Sequence, residues 1–99
     1  MSTLLVPTAD TASCLAAELE GRMEVMADDG LRGKPDYEDC EAITALLREQ
    51  KTFPVTLELS DAQAQQAAIT VENLRDWSVE NVADFAAMTA HLKAQGYPR

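Results

Sequence analysis

The chain has 99 residues, 46% of them apolar but only 5% aromatic, and its 8 basic against 17 acidic side chains give a net charge of −9. That length allows one domain, residues 1–99, with a modest core of Leu, Val, Ile, Ala and Met. The charge excludes nucleic acid and anionic membrane as partners. Both need a basic footprint, and Arg22, Arg32, Lys34, Arg48, Lys51, Arg75, Lys93 and Arg99 are scattered along the chain. An acidic surface does steer a basic protein partner, although excess charge also serves simply to keep a small domain in solution.

Residues 1–8 read as an extended arm. Pro7 removes a backbone donor and argues against a central strand. Leu4, Leu5 and Val6 are then either a docked terminus or an edge strand donated to a neighbour's sheet. No basic residue precedes this apolar run, which is too short for an export signal. No segment is long and apolar enough to span a bilayer. The expected location is the cytoplasm, with Cys14 and Cys40 reduced and buried.

A first helix is predicted from a cap at Asp10 or Thr11 to about Ala27. Leu15, Leu19, Met23 and Met26 form its buried stripe, and Glu18 and Arg22 make an i,i+4 pair. Gly30, in a left-handed conformation, ends it. Residues 28–35 form a loop. Its Asp28-Asp29-Gly30 lacks the ligand spacing of a calcium loop, so no metal is expected. A second helix opens at Asp36, with Asp39 at the capping-box position, and runs to about Gln50. Cys40, Ile43, Leu46 and Leu47 face its core, and Tyr37 covers the end. Acidic Glu38, Asp39 and Glu41 suit the helix N-terminus.

Val55, Leu57 and Leu59 alternate with polar residues, as in a half-buried strand. Residues 60–67 match a capping box at Ser60 and Gln63, yet they are short, and the preferred reading is the polar loop of a hairpin with a helical turn at its tip. Ile69 and Val71 alternate with Thr70 and Glu72 as the second strand. An Asp76-Trp77 corner follows, with Trp77 packed inside. Ser78 caps a last helix from Val79 to about Ala94, which ends at Gly96. His91 lies off its apolar stripe and is read as solvated. The expected class is α+β: two N-terminal helices, a short antiparallel β-hairpin and a C-terminal helix.

No catalytic signature is present. There is no phosphate loop, no G-x-S-x-G elbow and no zinc-ligand spacing. Neither an enzyme nor a cofactor nor a small-molecule substrate is therefore expected.

From Asp36 to Leu92 the order of elements resembles the small subunit of type VI secretion contractile sheaths. The parallel elements are a helix at residues 37–50, strands at 55–59 and 69–73, and a corner Asp76-Trp77-Ser78-Val79 leading to Val82. The family's corner reads Asp-Phe-x-Pro, so Trp77 and Val79 depart from it, and residues 1–35 have no counterpart. The resemblance implies mechanical assembly without chemistry, with Asp76 and Trp77 fixing the corner and strands pairing between subunits.

Two functional readings follow. One is a protein–protein assembly component, sheath-like or phage-like, acting through Leu4, Leu5, Val6, Asp76 and Trp77 or through self-association. The other is a small acidic inhibitor of the toxin-immunity or anti-restriction type. There Asp28, Asp29, Asp36, Glu38 and Asp39, with Glu18 and Glu24, would cover a basic site.

Overall fold

The N-terminal arm is half of the only sheet. A computed structural model describes residues 1–99. The elements are β1 (Ser2–Val6), α1 (Ala9–Asp28), α2 (Pro35–Glu49), β2 (Val55–Leu59), α3 (Asp61–Trp77) and α4 (Val82–Lys93). β1 and β2 pair antiparallel, with Ser2 opposite Leu59, Leu4 opposite Leu57 and Val6 opposite Val55. Leu4, Val6, Leu57 and Leu59 point into the core, as a period of two requires. No helix is long and apolar enough to cross a membrane.

The class is α+β, but the arrangement differs from the expected one. The strand at residues 69–73 does not exist. Those residues continue α3, so there are four helices, and β2 takes β1 as its partner. The physical reason lies in the alanines. Ala64, Ala67, Ala68 and Val71 are buried, and Leu74 packs beside them. Their spacing is helical, but small side chains leave a weak signal beside the brief Ile69/Val71 alternation. The capping box is real: Ser60 Oγ accepts from Gln63 N, and Gln63 Oε1 accepts from Ser60 N.

Other boundaries move for equally local reasons. Thr8, rather than Asp10 or Thr11, caps α1, in a reciprocal box with Thr11. Asp36 does not cap α2, because Pro35 already occupies its first turn and Lys34 is the capping position, without a side-chain bond. Ser78 closes α3 instead of opening the last helix, and α4 starts at Val82 instead of Val79.

Two glycines stop helices as expected. At Gly30 (φ 77°) the Leu31 N–H donates to Met26 O and Gly30 N–H to Ala27 O. At Gly96 (φ 92°) the Tyr97 N–H donates to Leu92 O and Gly96 N–H to Lys93 O. Both are Schellman closures, which need a residue at ease with positive φ. The second one turns Tyr97 back onto the core, where it is 3% exposed.

A single cluster of 19 buried residues draws on every element. α1 packs along α2, and α3 contacts α1, α2 and α4. Phe85 of α4 is the largest fully buried side chain. Phe85→Ala should therefore destabilise the fold by about 3–5 kcal/mol, the range for truncating a buried aromatic. Urea denaturation followed by circular dichroism reads this directly. A loss below about 1 kcal/mol would mean that Phe85 is not a core residue.

Candidate functional site

α3 and α4 are joined by a tight connection, residues 78–81. Ser78 N–H donates to Leu74 O at 2.8 Å and closes α3. Ser78 Oγ donates to the Glu80 carbonyl. Asn81 adopts φ 60°, a left-handed conformation that Asn tolerates better than most residues. Its Nδ2 donates to the Asp10 carboxylate on α1, and its carbonyl accepts from Phe85 N–H at 3.0 Å. The turn is thus held to both flanking helices and to α1.

This pinned turn carries the most exposed apolar group of the globule. Trp77 is 86% exposed, Val79 94% and Val82 46%. Single exposed apolar residues are ordinary, but here an aromatic and two valines are concentrated on the connection and the helix ends that flank it. Acid surrounds it: Asp76, Glu80, Asp84 and Asp10 lie on the turn or beside it. Asp76 forms an exposed ion pair with Arg75 at 3.5 Å. The packed Asp76-Trp77 corner is therefore overturned. Trp77 ends a helix and faces solvent.

The remaining sequence-derived candidates are placed as follows. Leu4 and Val6 are fully buried, and Leu5 is half-buried on the other face of β1. With β1 paired inside its own fold, these residues cannot also be a free donated strand. Asp28, Asp29, Asp36 and Glu38 are exposed and Asp39 is half-buried, all around the α1–α2 connection. Burial, then repulsion from Asp36 and Glu38, pushes the Asp39 carboxyl above its ordinary pKa. Nearby, an open cleft of about 470 Å³ is lined by Glu20, Glu24 and Asp28, with Met23, Arg32 and Tyr37. Glu20 also pairs with Arg48 of α2. No group of three or more His, Cys, Asp or Glu side chains is arranged to hold a metal ion.

Several polar groups prove to be structural. Arg22 does not pair with Glu18. Its Nη1 donates to Thr70 Oγ1 at 2.7 Å and Gln66 O at 3.2 Å, and its Nη2 donates to Gln66 Oε1 at 2.6 Å. It thereby ties α1 to α3. His91 is half-buried rather than solvated, with Nε2 2.9 Å from Thr3 Oγ1. Cys14 and Cys40 are free thiols. Burial raises the pKa of both, which lowers their reactivity.

A cluster at the chain termini has no counterpart in the sequence reading. Ser2 Oγ donates to Asp61 Oδ1 at 3.1 Å and lies 3.0 Å from Tyr97 Oη. Arg99 Nη2 donates to Tyr97 Oη at 3.1 Å. Hydrogen bonding from the Tyr97 and Ser2 hydroxyls, aided by Arg99 and the N-terminal amine, holds the Asp61 carboxyl below its usual pKa. Its members are separated by up to the whole chain, so no local spacing announces it.

No protein-family model matches this chain, and comparisons with curated proteins and with solved structures found no match.

Two outcomes follow from these placements. Trp77→Ala should leave stability within about 0.5 kcal/mol of the parent, because it removes no buried contact. The emission of Trp77, the only tryptophan, should shift little on unfolding in urea; a large red shift would place the indole inside. Asp61 has a depressed folded pKa, so its contribution is present above the unfolded value of about 3.9 and is lost as pH falls through the folded one. Asp61→Asn should therefore lower the urea midpoint at neutral pH, with the difference closing in acid. A pH-independent difference would rule out the charge as its source.

Proposed function

We propose that this chain is a non-enzymatic protein-interaction module, an assembly component that engages a protein partner through the α3–α4 turn. The observation carrying this reading is the exposure of Trp77, 86%, together with Val79 and Val82. Tryptophan is enriched among residues whose truncation costs most at interfaces. The turn is also fixed in advance by the Ser78, Asn81 and Asp10 bonds, so little ordering is needed when a partner docks. The acidic rim favours a partner with basic residues around an apolar socket. Two free thiols suit a reducing compartment such as the cytoplasm.

The narrower form, a contractile-sheath-like or phage-like subunit, draws on the resemblance of residues 36–92. α2 and β2 stand in the order that resemblance implies, while residues 69–73 and the Asp76-Trp77 pair belong to α3. It calls for co-assembly with a larger sheath component. The acidic-inhibitor reading has its own support, the cleft where Glu20, Glu24 and Asp28 line successive turns of α1 beside Tyr37. It calls for a basic target released by salt.

Pull-down of the tagged chain from its native lysate, at low and high salt, separates these readings. The assembly reading expects a dedicated partner retained at high salt. Trp77→Ala should weaken that capture by at least about tenfold, as loss of an interface anchor does. Reversing the charges of Asp28, Asp29, Glu38 and Asp39 together should leave it intact. A partner lost at high salt and lost with the charge-reversed variant, but kept by Trp77→Ala, would replace assembly with inhibition.

A further inference from the structure

β2 leaves one edge open, and the backbone geometry shows which groups it offers. Thr3 of β1 turns its N–H and C=O away from β2, onto the side-chain amide of Gln95, at 2.8 and 3.0 Å. In an antiparallel ladder, residues directly opposite one another both bond inward or both point outward, and the two kinds alternate. Thr3 lies opposite Glu58 and Leu5 opposite Thr56. The backbone groups of Thr56 and Glu58 therefore point out of the sheet on the free side of β2. Neither residue's backbone finds a partner in any loop or cap, and both residues are exposed. β2 packs chiefly on β1 and α3, and the exposure of Thr56 and Glu58 leaves this edge open to solvent. The β1 edge, in contrast, is closed at Thr3 by Gln95.

We infer that the occupant of this edge is a second copy of the chain, with β2 pairing antiparallel to β2 about a two-fold axis at Leu57. The sheet becomes four-stranded, in the order β1, β2, partner β2, partner β1. The register argues for self-pairing. With Leu57 opposite the partner's Leu57, Thr56 lies opposite the partner's Glu58. Every free N–H and C=O of both residues then finds a mate. On the core face Leu57 meets Leu57, and half-buried Val55 meets Leu59. On the outer face Thr meets Glu, and no Glu stands directly opposite a Glu.

The neighbouring registers fail. A shift toward Pro54 sets Glu58 against Pro54, which has no N–H to give. A shift the other way sets Glu58 against Glu58 and Thr56 against Ser60, whose N–H is already donated to Gln63 Oε1 at 2.9 Å. A one-residue slip sends the apolar set to the polar face. Pro54 and Ser60 thus bound the ladder at matching places on both strands. This strand pairing is short and is weaker than interfaces burying roughly 1,200–2,000 Å². Two copies of charge −9 repel each other, so added salt strengthens the pairing.

The test is sedimentation equilibrium of the intact chain from dilute to near-millimolar concentration, at low and high salt, with amide exchange read by NMR. Association should rise with concentration and with salt, and the Thr56 and Glu58 amides should exchange more slowly as it does. Thr56→Pro removes an N–H that bonds nothing within one chain and should abolish association while leaving the circular dichroism unchanged. If Thr56→Pro disturbs the fold, side-chain variants decide. Thr56→Lys sets a cation opposite the partner's Glu58 and should tighten the dimer several-fold, whereas Thr56→Glu should weaken it several-fold. Thr52→Lys and Thr52→Glu carry the same charge changes outside the ladder and should act less. Trp77→Ala should associate like the parent, which keeps this result separate from the partner-binding role of the turn. A monomer at every concentration overturns the inference. So does a dimer whose Thr56 and Glu58 amides are unprotected, or one that responds equally to the Thr52 and Thr56 variants.

Discussion

A five-residue strand cannot stand alone, and even two such strands make a marginal sheet without a covering layer. The β1–β2 ladder is therefore the constraint on which the rest of this fold depends. Its halves are separated in sequence by α1 and α2, so closing it brings the N-terminus back across the whole first half of the chain. Loop closure over such a distance costs entropy before any contact repays it. The return comes from Leu4, Val6, Leu57 and Leu59, whose side chains complete one core face, and from the other elements that fasten the N-terminal end of β1. Ser2 is held by Asp61 and Tyr97, and Thr3 by Gln95 and His91. The start of α3 and the end of α4 are thus fastened to the same strand.

That fastening gives the polar interior its logic. Gln66, Thr70, Thr11, Thr44 and Thr89 are buried, yet every buried side-chain nitrogen or oxygen has a partner. Thr44, Thr70 and Thr89 each return their hydroxyl to the carbonyl one turn earlier. Arg22 spends its guanidinium on neutral oxygens of α3 rather than on a carboxylate. Bonds to a charged donor are stronger than neutral ones, so this cross-link fixes the spacing of α1 and α3. It also explains why an acidic i,i+4 neighbour was a poor guide to what Arg22 does.

The legible parts of the fold were those with strong local signals. The two N-terminal helices, the β2 alternation, and the stops at Gly30 and Gly96 follow from side chains within a few positions of each other. What failed was distance and size. The partner of β2 sits some fifty positions upstream, and a hairpin is the nearest local solution to an unpaired strand. The stripe of α3 is built largely from alanine, too small to outweigh the larger Ile69 and Val71. The interaction candidates divided in the same way. Leu4 and Val6 have the apolar character of an interface but fill the core, whereas Trp77 is an interface candidate because it does not fill it. The exposure of Val79 was missed because exposure is a property of the folded surface, not of spacing.

The exposure of Trp77 also follows from the core. Where α3 meets its neighbours its buried residues are mainly Ala64, Ala67, Ala68, Thr70 and Val71, small side chains that let helices approach closely, while Trp77, the last residue of the helix, lies beyond them in solvent. Placing Trp77 one step beyond the buried stripe keeps that packing intact. It leaves a large apolar surface in water, where roughly 25 cal/mol per Å² of favourable burial goes unrealised until something covers it. The β2 edge is incomplete in a different sense, lacking backbone partners rather than apolar cover. As proposed interaction surfaces, both would work by short-range contacts that salt does not screen, on a chain whose net charge of −9 opposes close approach of its own kind. On the reading proposed above, acid at such surfaces would select which partner arrives and under what ionic conditions, while the indole and the strand edge would determine whether it stays.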